Sequence, residues 1–113
     1  MEAVAHLNSL LDSFDQFRVR SFNGHRLVIL GSSDIAYHHD FEVEFDEVSY
    51  TQCPTDFFAD TFRVATAEEQ AQLKLADYID EEHIFFCFES DGRPFFIVAK
   101  SLKIREGRVL HYK

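Results

Sequence analysis

The sequence predicts an α+β fold: an antiparallel, meander-rich sheet of about seven or eight strands with an N-terminal amphipathic helix on one face. Three observations lead there. Residues 3–14 repeat apolar side chains at helical spacing, and several later runs alternate apolar and polar residues with the period of a strand. The links between those runs are short, whereas parallel neighbours need crossovers of a dozen residues or more. The whole chain, 1–113, is expected to form one α+β domain.

Each element has a local reason. Val4, Leu7, Leu11 and Phe14, with Leu10 beside them, make one apolar stripe opposite Asn8, Ser9 and Asp12. Phe17–Phe22 and His25–Leu30 read as strands around Asn23-Gly24, a pair suited to the positive φ values of a type I′ turn. Phe41–Asp46 alternates strictly, and the period then slips near Asp46-Glu47, as an extra residue in a bulge or tight turn would make it do. Pro54 closes that segment because it has no N–H for a ladder. Thr61–Ala65 predicts a short strand. Thr66-Ala67-Glu68-Glu69 reads as a capping box opening a helix to about residue 75 or 79. Ile84–Glu89, apolar on both faces, predicts a central strand. Asp91-Gly92 predicts a turn into a long strand over 94–104. Glu106-Gly107 predicts another turn, into a last strand over 108–112.

Composition narrows the function classes. The 113 residues carry 20 acidic and 11 basic side chains, a net charge of −9. Binding nucleic acid through its phosphates needs clustered cations, so the balance argues against a nucleic-acid partner and favours a basic protein. The charge is uneven. Residues 32–91 hold sixteen acids against Arg63 and Lys74, and residues 92–113 hold six bases against Glu106. The longest apolar runs are five residues, against about 20 for a membrane-spanning helix. The start of the chain lacks the basic and apolar regions of a signal peptide, and two cysteines are no disulfide framework, so a cytoplasmic protein is expected. Thirteen phenylalanines predict a Phe-filled core, with an exposed contact surface as the alternative.

No motif for catalysis emerges. The four glycines suit turns and loops, so no glycine-rich phosphate loop exists. His38-His39-Asp40 could hold a metal with a third ligand from His25, His83 or His111, but its spacing matches no zinc motif, and no metal, cofactor or catalytic residue is expected. Cys53, in an acidic stretch before Pro54, is expected to be an inert thiol. Asp40, Glu42, Glu44 and Asp46 share one strand face. They predict a docking row for a cationic partner, with Phe57 and Phe58 adding buried contact. That reading needs the carboxylates free, since arginines such as Arg18 or Arg20 tying them up would remove its basis.

The run Phe41-Glu42-Val43-Glu44-Phe45-Asp46-Glu47-Val48-Ser49-Tyr50, with Phe96-Ile97-Val98-Ala99, resembles small acidic bacterial proteins, some of them immunity-type proteins of polymorphic toxin systems. The resemblance spans about 37–112. It implies a non-enzymatic protein that binds a toxin and blocks it, and it implies no catalytic residues. Two other roles stay open. A small apolar ligand could sit in a Phe-lined pocket between helix and sheet, or a homodimer could form through residues 108–112 if they lie at an open sheet edge.

Overall fold

The computed structural model describes residues 2–73 and 82–111. The α+β class is as expected, but the described residues form nine strands, in two antiparallel sheets rather than one. Helix α1 (Glu2–Leu11) leads into β1 (Gln16–Phe22), β2 (Arg26–Ser32) and β3 (His38–Asp46). Then come β4 (Tyr50–Gln52), β5 (Asp56–Phe58), β6 (Thr61–Val64) and helix α2 (Ala67–Leu73). The chain ends in β7 (Ile84–Ser90), β8 (Arg93–Ala99) and β9 (Ser101–Leu110). One sheet has the order β5-β1-β2-β3-β9, the other β4-β8-β7-β6.

Strand courses pass from sheet to sheet at β3–β4, β5–β6 and β8–β9, which is how a corner between packed sheets is made. The β3–β4 course bends where the period slips, and Glu47 there takes a φ of 53°. The β8–β9 course bends beside it at Lys100, whose N–H donates to the Asp46 carbonyl at 3.0 Å. Ser49 N–H donates to the Val98 carbonyl at 2.8 Å on the other side of the bend. The single strand expected over 94–104 is therefore two. The turn expected at Glu106-Gly107 is instead an irregularity inside β9. There Glu106 faces Phe41 and Val109 faces His39, so one residue of β3 opposes two of β9, the count of a β-bulge. Gly107 takes a φ of 148° at that point.

The other local signals divide. At Asp91-Gly92 both φ values are positive, 53° and 76°, as a type I′ turn requires. At Asn23-Gly24 only Gly24 is positive, and Asn23 Oδ1 instead accepts from the N–H groups of His25 and Arg26. The capping box forms: Glu69 N–H donates to Thr66 Oγ1 and Thr66 N–H donates to Glu69 Oε1. Arg63 also grips the Glu69 carboxylate, which together with the Thr66 contacts holds its pKa down at about 2. The helix expected past residue 73 falls outside the described residues there.

Most of the phenylalanines fill the space between the sheets. Phe17 of β1 stacks on Phe57 of β5 at 5.2 Å, and Phe57 stacks on Phe88 of β7 at 4.5 Å. Phe45 of β3 meets Phe86 edge-on, and Phe41 takes Phe14 and Phe17 the same way. Phe41 lies over Gly31, where an added Cβ would overlap the ring. Val4 and Leu7 of α1 complete this core, and Leu10, Leu11 and Phe14 pack at its margin. Asn8 ties the helix to the edge of β6, donating to the Phe62 carbonyl and accepting from the Phe62 N–H, each at 2.7 Å. Among the described residues, no helix is long and apolar enough to cross a membrane.

Candidate functional site

The row Asp40, Glu42, Glu44 and Asp46 does share one face of β3, the face turned away from the phenylalanine core, as strand alternation dictates. It is not free. Arg20 of β1 reaches Glu42 at 3.1 Å, and Arg26 of β2 contacts Asp46 at 2.8 Å and Glu44 at 3.4 Å. Arg108 of β9 binds Asp40 at 2.9 Å. The expectation of unengaged carboxylates is therefore corrected, and the cause is strand order. β3 is interior, so basic residues of β1, β2 and β9 lie on either side of it. Asp40 is the most enclosed, with its side chain 8 % exposed. Burial pushes its pKa up, but the Arg108 hydrogen bond, the Ser33 N–H and nearby His38 outweigh it, and the carboxyl lies below the ordinary value.

Phe57 and Phe58 separate. Phe57 points into the core and is buried, so it is structural and offers no surface without unfolding. Phe58, one residue on, faces outward and is 61 % exposed. The stretch between Pro54 and Ala59 is a short edge strand rather than a loop, because residues 56–58 pair with β1.

Of the histidines considered for a metal, His38 lies with Asp40, and His111 is brought to His39. His38 Nδ1 lies 3.1 Å from Asp40 Oδ2 and 3.2 Å from Ser32 Oγ. His39 is buried and contacts His111 Nε2 at 2.8 Å and Glu42 Oε2 at 3.4 Å. His111 in turn lies against the Ile35 carbonyl, so the pair ties the end of β9 to the loop before β3. Among the described residues no group of three or more His, Cys, Asp or Glu is arranged to hold a metal ion. Cys53 and Cys87 are both free. Cys53 packs against the main core and Cys87 lies in a second cluster with Ala65 and Phe96. Burial pushes the Cys53 thiol up to about 12 and Cys87 to about 11, which leaves both unreactive as nucleophiles near neutral pH.

The space expected to hold an apolar ligand, between helix and sheet, is where the rings of Phe14, Phe17 and Phe41 pack on one another. A shallow cavity of about 350 Å³ lies instead on the outer face, between Glu42 and Glu44 of β3 and Lys103, Ile104 and Arg105 of β9. Sequence reasoning missed this side. Lys103 stands across from Glu44 and Arg105 from Glu42. Beyond the bulge, Leu110 stands across from His38, and the His111 N–H donates to the Tyr37 carbonyl. Tyr37 (70 % exposed), Val109 and Leu110 (50 %) thus leave apolar side chains in solvent around the end of β9, with Val109 and Leu110 on opposite faces of the strand. The run of basic residues after 92 was the available signal, though not its place on an edge.

No family model matches the chain, and neither a curated protein nor a solved structure matches it.

Proposed function

We propose that this protein is a non-enzymatic protein-binding module that acts by occupying a partner's surface, as an immunity-type protein does. The supporting observation is that Tyr37, Val109 and Leu110, all around the end of the edge strand β9, are left exposed. Exposed apolar side chains gathered on one short segment mark protein contacts. The two thiols, raised by burial, offer no nucleophile, and the carboxylates of β3 are held by arginines. A basic partner would have to displace Arg20, Arg26 and Arg108 to reach the row, so the row contributes register more than attraction.

The test is capture of partners from the source lysate with the wild-type chain and with Tyr37→Ser/Leu110→Ser. Both positions are exposed, so the variant folds. A partner retained by the wild type and lost from the variant supports the reading. Identical capture by both removes the apolar group from the account.

A further inference from the structure

Three of the four edge strands are short or covered. β4 and β5 have three residues each, and β6 has four, with Asn8 of α1 bonded to its backbone. The fourth is β9, ten residues long and paired on one side only, with β3. Its backbone hydrogen bonds beyond the ladder, at Lys100 and His111, also run toward the β3 course. Among the described residues no strand pairs with its other side, and α1 reaches it through His6, 3.2 Å from Glu106. Proteins usually blunt such an edge, because a row of unpaired N–H and C=O groups is a template for another strand.

The side chains along this edge say what kind of strand fits. Lys103 and Arg105 point to the outer face, across from Glu44 and Glu42. Neither makes a hydrogen bond or ion pair with any described residue, whereas all four carboxylates of β3 do. Leu102 and Ile104 alternate with them and pack half-buried against the core. A second copy of this chain is a poor occupant. A symmetric antiparallel β9–β9 pair centred on Ile104 sets Lys103 against Arg105, and one centred on Glu106 sets the two glutamates together. Like charges directly opposed are destabilising. The net charge of −9 is no bar to an acidic strand, because screening over about 8 Å at physiological salt leaves the nearest cations to decide.

We propose that the open edge of β9 receives, by strand addition, an extended acidic segment of a partner protein, with carboxylates at alternate positions meeting Lys103 and Arg105. The inference rests on the binding-module reading and names the partner's chemistry. Main-chain bonds supply affinity in this mode and alternate side chains supply specificity.

The experiment titrates the labelled protein with a short capped peptide alternating Glu and Val, and with its Lys–Val counterpart, at physiological salt. Binding is read from amide shifts and hydrogen exchange. The expected result is that the Glu peptide binds more tightly and slows exchange at alternate amides of 102–110. Lys103→Glu/Arg105→Glu, at two exposed positions, should weaken it about tenfold, the worth of two such charge pairs. Equal binding of the two peptides, or shifts that avoid β9, would overturn the proposal. So would a dimer by sedimentation whose β9 amides are already protected. A lysate partner that depends on Tyr37 and Leu110 but leaves β9 exchange unchanged overturns the edge and spares the module. Acidic-peptide binding with no apolar dependence does the reverse.

Discussion

β3 and β9 lie side by side in one sheet and carry opposite charge, yet only one has charge to spare. β3 is interior. Its four carboxylates meet Arg20, Arg26 and Arg108 from strands on either side. β9 is the edge. Lys103 and Arg105 have β3 on one flank and no described strand on the other. The difference teaches that a row of charge in a sequence measures composition, and that strand order decides what remains available to a partner. An interior strand is compensated by its neighbours, and an edge strand has half as many.

The largest effect that separates the two strands should be in packing. Phe41→Ala on β3 removes a buried ring between Phe14 and Phe17 and is expected to cost about 3–5 kcal/mol in denaturant unfolding. Val109→Ala on β9 should stay within about 0.5 kcal/mol, as exposed positions do. A large loss from the second would mean that β9 is covered.

Next comes charge. Asp40→Ala leaves Arg108, His38 and the Ser33 N–H without their acceptor and should cost about 1–3 kcal/mol. Arg105→Ala, with no partner to orphan, should leave the unfolding midpoint nearly unchanged. Equal losses would show that the edge cations are engaged after all.

Acid should act on the compensated groups first. Asp40 and Glu69 have folded pKa values below their ordinary ones, Glu69 at about 2 against 4.5. The stability they contribute is full above the ordinary value and is lost as pH falls toward the folded one. Unfolding measured from pH 5 down to about 2 should show this decline. Glu69→Gln should flatten it, and an unchanged slope would remove the Arg63–Glu69 pair as a cause.

Much of this fold was legible locally. The stripe from Val4 to Phe14, the capping box at Thr66 and Glu69, the slip at Glu47 and the positive φ pair at Asp91-Gly92 each depend on a few neighbouring residues. What stayed hidden depends on distant pairing. Nothing near Glu44 announces that Lys103 will lie across from it, nor does the text of 94–104 show that the strand must bend at Lys100 to join two sheets. Glu106-Gly107 misled because glycine serves a bulge inside a strand as well as a turn between two. Phe57 and Phe58 looked like a matched pair, yet alternation sends one ring inward and the other out. The carboxylate row was read correctly as a face and wrongly as free, since availability depends on which strands flank it.

The most direct measurement is native-state hydrogen exchange on the protein alone, resolved by residue along the two strands. Amides of β3 from Phe41 to Asp46, flanked by strands on both sides, should exchange slowly throughout, while those of β9 should alternate between slow and fast from residue to residue. Uniformly slow exchange along β9 would contradict the account, because its outer edge would then already have a partner.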